Sequence, residues 1–367
     1  MEVHEDGGLR ITKFADLGSY GNNAYIVADA AAKEALIVDM PTGSEAVIDA
    51  LGRLDGDLIV LGAGGKMGPS LARMAKRAFE AVGIDRRVIA VSRFSSGDVE
   101  RQLQDAGVET IRGDLLDPSL VASLPNVAAV IFMAGMKFGA SGNLPLTWAM
   151  NAYLPALVAR RYGDSRIVVF STGNVYPLAP VDSGGCDEEV SPAPVGEYAM
   201  SCLGRERMFE YFSATLDIPI VILRLNYASE MRYGVLVDLA RQVNSGQEIS
   251  LAMGHANVIW QGDANAMALA SLAGAANPPL TLNIAGPERL RVRDVAERFG
   301  QLLGKPVKLT GTESATALLS DGSRGRELYG PTRVSAEQMM RWVADWIERG
   351  GTAWDRPTHF EVRDGQF

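Results

Sequence analysis

The chain has 367 residues, 47% of them hydrophobic, enough to bury a sizeable core in one elaborated domain or in two. Its 44 acidic against 35 basic residues leave a formal net charge of -9, which repels polyanions and argues against a nucleic-acid reader. The two cysteines, Cys186 and Cys202, lack a metal-type or redox-type partner at short spacing. The N-terminus is acidic where a secretory leader is basic, and the longest apolar run, Val127 to Gly135, falls far short of a membrane span, so a cytoplasmic, unanchored protein is expected.

Residues 1–55 read as an N-terminal appendage of two short strands, Asn23 to Val27 and Ala35 to Val38, followed by a helix from Gly43 to Leu51. The words Leu17-Gly18-Ser19-Tyr20-Gly21-Asn22-Asn23-Ala24-Tyr25 and Ala35-Leu36-Ile37-Val38-Asp39 resemble the opening strands of metallo-β-lactamase-type hydrolases. Those enzymes need a His-x-His-x-Asp-His run just downstream, whereas this chain has only His4, His255 and His359, so no metal site is expected.

The most specific stretch follows. The branched run Leu58 to Leu61 suits a buried parallel strand and ends in Gly62-Ala63-Gly64-Gly65-Lys66-Met67-Gly68, after which Leu71, Met74, Ala75 and Ala78 fall at helical spacing. In that order Gly62 makes the tight turn, Gly65 lets the backbone approach a pyrophosphate and Gly68 lets the helix pack on the strand, with the helix N–H groups aimed at phosphate. An ordinary strand-to-helix turn is the plainer reading.

Further strands are expected at Arg87 to Ser92, Val108 to Arg112, Val127 to Ala134, Ser165 to Ser171 and Ile218 to Leu225, with helices between most of them. That rhythm predicts an α/β fold with a Rossmann-type, doubly wound parallel sheet over 56–228. The strand Leu280 to Ala285 completes the sheet within about 258–286, and 229–367 reads as a smaller, interleaved substrate-binding lobe. Its expected elements are helices at Val235 to Val243, Asp263 to Ala275, Val292 to Leu303 and Ala336 to Arg349, and an extended stretch from Glu248 to Met253. Ligand space then lies between the lobes, above the carboxyl ends of the strands.

Several words resemble, in order and spacing, the extended short-chain dehydrogenase/reductases, the NAD(P)-dependent epimerases, dehydratases and reductases, over about residues 56–350. They are the glycine loop (Gly62, Gly64, Gly65, Lys66, Met67, Gly68), Asp114-Leu115, Met133-Ala134-Gly135, Asn151 in Met150-Asn151-Ala152, Phe170-Ser171-Thr172-Gly173 and Glu197-Tyr198-Ala199-Met200-Ser201. The resemblance implies that these cofactor words and Asn226 contact the dinucleotide, that Tyr198 is the acid/base and also touches the cofactor, and that Thr172 orients the substrate oxygen. It implies an oxidoreductase or an epimerase/dehydratase acting on a sugar-like or nucleotide-sugar hydroxyl. It also implies a homodimer built through the helices around Trp148 to Tyr162 and Tyr198 to Phe212.

One position departs from the family. A free tyrosine ionises near pH 10, so a cation must stabilise its phenolate, and the family places a lysine four residues on, on the same helical face. Here that residue is Cys202. Three readings stay open: Lys137 supplies the charge from the mouth of the site, Arg205 supplies it although two turns away, or the chain binds the cofactor without turnover. At the end of the second strand, Ser92-Arg93 suits the 2′-phosphate of NADP; with Arg93 a mere surface residue, NAD is the cofactor. Cys202 as a small buried apolar residue and Lys137 as a solvated loop lysine are the ordinary alternatives.

Overall fold

The computed structural model describes residues 45–95, 97–137, 142–354 and 356–365, together with the backbones of four N-terminal strands. Those strands, β1 (Glu2–Asp6), β2 (Leu9–Leu17), β3 (Asn22–Asp29) and β4 (Glu34–Val38), form an antiparallel sheet in that order, where the sequence suggested only two. Charged residues dominate β1, and the register of β2 shifts between Phe14 and Leu17, so neither keeps the two-residue alternation that marks a strand. Residues 18–21, within the hydrolase-like word, and Gly43, the expected helix start, lie outside the described residues.

The second unit follows the predicted rhythm. Helix α1 (Glu45–Gly52) leads to β5 (Leu58–Leu61), α2 (Gly68–Ala81), β6 (Val88–Ser92), α3 (Gly97–Asp105), β7 (Glu109–Arg112), α4 (Pro118–Ser123) and β8 (Ala129–Phe132). Next come α5 (Leu144–Trp148), a π-turn at Ala149–Tyr153, α6 (Leu154–Arg161), β9 (Arg166–Thr172), the two-residue β10 (Ala179–Pro180), α7 (Gly196–Leu216) and β11 (Ile220–Leu225). The chain then passes through β12 (Ala228–Ser229), α8 (Val235–Ser245), β13 (Glu248–Ser250), β14 (His255–Ala256), β15 (Ile259–Trp260) and α9 (Gln261–Ala270) before β16 (Leu280–Ile284) closes the sheet. After it lie β17 (Leu290–Arg291), α10 (Val292–Leu303), β18 (Lys308–Thr310), β19 (Thr316–Ala317), α11 (Ser323–Tyr329) and α12 (Ala336–Glu348).

Seven strands form one sheet in the order β16-β11-β9-β8-β5-β6-β7, every neighbouring pair parallel. Alternate residues of each strand go to opposite faces. Leu58, Val60, Ile131, Val168 and Leu223 pack with Val47 and Leu51 of α1, Leu71 and Phe79 of α2 and Leu269 of α9. Ile59, Leu61, Val130, Phe132, Val169 and Ile222 pack with Val121 of α4, Leu154 and Val158 of α6 and Phe209 of α7. A sheet covered on both faces accounts for the nearly unbroken apolar strands. The order reverses between β5 and β8, which opens a crevice above the ends of those two strands.

The smaller lobe has a core of its own, in which Leu236 and Val243 of α8, Phe299 of α10 and Trp342 and Trp346 of α12 meet, with the Trp260 and Trp342 rings edge to face at 5.3 Å. The extended stretch expected at Glu248 to Met253 pairs only as far as Ser250, against β18.

Candidate active site

The glycine loop stands at the switch point, and its glycines have different causes. Gly62 has φ +91°, and a Cβ there would lie 2.6 Å from Ala134 N, where the loop after β8 crosses. A Cβ on Gly68 would lie 2.6 Å from Ala63 Cα, so α2 can start against the strand only at a glycine. Gly64 leaves room for Ser92 at the end of β6. Gly65 is different: a Cβ would meet nothing nearer than Gly62 O at 3.5 Å, and no positive φ requires a glycine. Its bareness is needed only by something outside the chain, as a pyrophosphate laid on the loop would demand. Helix α2 begins after Met67 with no side-chain cap, and since Pro69 carries no N–H its first turn offers the Gly68 and Ser70 N–H groups to an anion.

Lys66 projects from this loop across the crevice. Its Nζ donates to Ala228 O at 2.5 Å and stands 3.9 Å above the centre of the Tyr233 ring. Burial lowers its pKa to about 7, with Glu230 opposing and Lys137 reinforcing the drop. Lys137, just past β8, donates from Nζ to Thr358 O at 3.3 Å, and burial lowers its pKa to about 8, Asp238 and Cys202 opposing.

Tyr198 lies in the first turn of α7, half-buried, and Thr172 ends β9. The Tyr198 hydroxyl is hydrogen-bonded to both the Thr172 hydroxyl and the Cys202 thiol. Burial foremost, and then Cys202, push the phenol well above its usual value, while Arg205 pulls it down. The fully buried Cys202 thiol is raised by burial and drawn down by Arg205.

Arg205 thus comes closer than its spacing in sequence suggested. Its side chain folds back, Nη2 donating to Asn151 Oδ1 at 2.8 Å and Nη1 to Phe170 O at 2.5 Å, with the guanidinium 5.6 Å from the centre of the Phe132 ring. Among the described residues no carboxylate lies within ion-pair distance of it, so a buried positive charge stands uncompensated beside the Tyr198–Cys202 pair. Gly135 covers it, and any Cβ there would collide with the guanidinium.

Asn151, on the π-turn, accepts from Met136 N at 2.9 Å and donates to Met136 O at 3.0 Å and to Ser201 Oγ at 2.9 Å, so it ties the loop after β8 to α7. Met133 and Ala134 form the floor of that loop, and Met133 N donates to Leu61 O at 2.9 Å. At the other end of the crevice Ser92 is half-buried and Arg93 exposed. Leu115 is buried, and Asp114 turns back to accept from Leu116 N at 3.0 Å. Asn226 stands beside Gly173, the residue after Thr172; its Nδ2 donates to Asn257 Oδ1 at 2.6 Å, and Asn257 in turn bonds Gly286 O and Ser320 O. The structure spends that amide in a buried hub joining the ends of β11 and β16.

Sequence reasoning missed the network beneath the site. Glu206 Oε1 accepts from Ser171 Oγ at 2.5 Å, Glu206 pairs with Arg224 at 2.8 Å, Arg224 donates to the Tyr176 hydroxyl at 2.8 Å, and that hydroxyl donates to Asn283 Oδ1 at 2.9 Å. Four elements are clamped directly behind Thr172. The available signal was a pair of charges, Arg205 and Glu206, on the face of a helix that otherwise buries Cys202 and Phe209.

The model of a family described as the NAD dependent epimerase/dehydratase family matches residues 58–263. Among solved structures, MoeE5 in complex with UDP-glucuronic acid and NAD aligns at TM-score 0.66 and 21% identity over 80% of this chain and 100% of its own. The UDP-glucuronic acid 4-epimerase of Bacillus cereus, bound to UDP-glucuronic acid and NAD, aligns at TM-score 0.66 and 19% identity, covering 80% and 99%. The UDP-glucose 4-epimerase of Thermus thermophilus, in complex with NAD, aligns at TM-score 0.66 and 18% identity, again covering 80% and 99%. At these identities the likeness bears on the fold alone. No curated protein matches the sequence.

Proposed function

Since a family model spans more than half of it, the chain belongs to the NAD dependent epimerase/dehydratase family, and on that premise we propose that it is an NAD(P)-dependent epimerase or oxidoreductase of a nucleotide sugar. The observation that carries this reading is the Tyr198–Thr172 hydroxyl pair held at the crevice where the strand order reverses. When bound, the dinucleotide supplies a hydride acceptor. Gly65, the uncapped start of α2 and Lys66 suit its diphosphate. Thr172 donates a hydrogen bond that fixes the substrate oxygen. Tyr198, as phenolate, takes the proton of the substrate hydroxyl while the hydride leaves the same carbon, and returns the proton when the hydride comes back.

The phenolate needs a nearby cation, and Arg205 supports that role: it is buried, and its field lowers both Tyr198 and Cys202. Lys137 adds charge from the mouth. Arg93, exposed beside the glycine loop, favours the 2′-phosphate of NADP over NAD. The half-exposed Trp148, Tyr153, Met200 and Tyr211, on α5, the π-turn and α7, support a homodimer through these helices.

Epimerisation of UDP-glucose and UDP-glucuronic acid with NAD or NADP tests the proposal. Tyr198→Phe is expected to abolish turnover, and Arg205→Met to lower kcat at least tenfold with KM little changed. Cys202→Lys is expected to restore the Arg205→Met variant. Activity untouched in Tyr198→Phe overturns the assignment. Cofactor binding without turnover, converted to turnover by Cys202→Lys, shows that the chain serves as a cofactor-binding protein.

A further inference from the structure

Beyond α12 the chain runs back over the cleft. Trp354 N donates to Arg232 O at 2.9 Å, and residues 356–365 then cross from the smaller lobe to the start of α7. Thr358, 2% exposed, is gripped from both sides: its N and Oγ1 donate to Asp238 Oδ2 at 2.7 and 2.6 Å, and its carbonyl accepts from Lys137 Nζ at 3.3 Å. Phe360 is buried in the core of the smaller lobe, Arg363 Nη1 donates to Thr316 O at 2.7 Å, and Gly365 packs on Gly196, two residues before Tyr198. The Glu361 carboxylate is near enough to act on Lys137 and Tyr227. The segment therefore lies between Lys137, Asp238 and the first turn of α7.

We propose that residues 356–365 occupy the substrate half of the cleft as an internal stand-in for substrate, and that Asp238 and Lys137 also hold the substrate that displaces them. The inference rests on the nucleotide-sugar reading above. Asp238 is a half-buried carboxylate that accepts from O–H or N–H donors, and Lys137 a half-buried ammonium that donates to an acceptor or an anion. Thr358 supplies one backbone donor, one hydroxyl and one carbonyl. A ligand replacing it must bring the same set, namely a hydroxyl for Asp238 and a carboxylate, phosphate or carbonyl oxygen for Lys137. A sugar bearing an acidic group satisfies both at once. Because the segment must leave first, the apparent affinity for substrate is the intrinsic affinity reduced by the fraction of chains that are open.

Hydrogen exchange of 356–365 and calorimetric binding of UDP-glucuronic acid to the NAD-loaded full chain test this directly. The sugar nucleotide is expected to release the protection of 356–365, and NAD alone to leave it. Thr358→Val, which keeps size and Phe360 but removes the Oγ1 donor, is expected to bind UDP-glucuronic acid about tenfold more tightly. In the full chain, Asp238→Asn combined with Thr358→Val is expected to cancel that gain, because the carboxylate that grips Thr358 also holds the substrate. Protection that persists with ligand bound, equal or weaker binding by Thr358→Val, or a gain that survives Asp238→Asn overturns the inference. Displacement of the segment without turnover leaves the inference standing and refutes the enzymatic reading instead.

Discussion

The two lysines of the crevice predict that the dinucleotide binds together with protons. Lys66 is lowered to about 7 and Lys137 to about 8, burial being the first cause in each and the second lysine adding to the drop of the first. At pH 7.5 a group of pKa about 7 is about one quarter protonated and a group of pKa about 8 about three quarters. A diphosphate on the glycine loop restores the charged form of both, so binding takes up about three quarters plus about one quarter, or about one proton. The uptake falls towards zero at pH 6, where both lysines are already charged, and exceeds one proton above pH 8. Calorimetric titration with NAD in buffers of different ionisation enthalpy reads the number as the slope of observed enthalpy against that ionisation enthalpy. Lys66→Met should reduce the slope at pH 7.5 to about one quarter of a proton. A flat dependence in the unaltered chain, or a slope indifferent to Lys66→Met, refutes the idea that the diphosphate recharges these groups.

The glycines of the loop should separate binding from stability. Gly65→Ala is expected to melt within about 1 kcal/mol of the parent and to bind NAD at least tenfold more weakly, whereas Gly68→Ala, forced against Ala63, should lose about 1–3 kcal/mol of stability. Glu206→Ala strands Arg224 in the core without its carboxylate and should cost about 3–5 kcal/mol, read from urea midpoints. In the ligand-free chain, Lys66 and Lys137 ionise lower when folded than when unfolded, so the unfolded chain binds more protons between about pH 7 and 10.5. Their contribution to stability therefore rises with pH through that window, and Lys66→Met should flatten the rise of melting temperature from pH 7 to 9.

The parts of the molecule written in local sequence were legible in advance. A strand such as Leu58 to Leu61 is buried on both faces and so reads as apolar without reference to its neighbours, and the turn after it must be glycine-rich whatever follows. Thr172 and Tyr198 are legible only through the resemblance of Phe170-Ser171-Thr172-Gly173 and Glu197-Tyr198-Ala199-Met200-Ser201 to the family's words. What escaped depends on reach. Seven residues separate Arg205 from Tyr198, yet the long side chain doubles back to Asn151 and Phe170, a path that helical spacing does not encode. The bond from Asn226 Nδ2 to Asn257, 31 residues on, is likewise absent from any local pattern. The closing segment has no periodicity to betray it: Thr358 and Arg363 look like ordinary surface polar residues until Asp238 and Thr316 are placed beside them.

Helix α1 changes where this protein should be divided. Val47 and Leu51 are as thoroughly enclosed as the strands, sharing their packing layer with α2 and α9, although a boundary at residue 55 would assign them to the N-terminal appendage. Burial of two such side chains is worth about 1.5–3 kcal/mol each, a substantial fraction of the stability of any single unit. A chain begun at residue 56 would uncover that layer and expose an apolar strip along α2 and α9. For anyone expressing the catalytic portion alone, the cut belongs before α1.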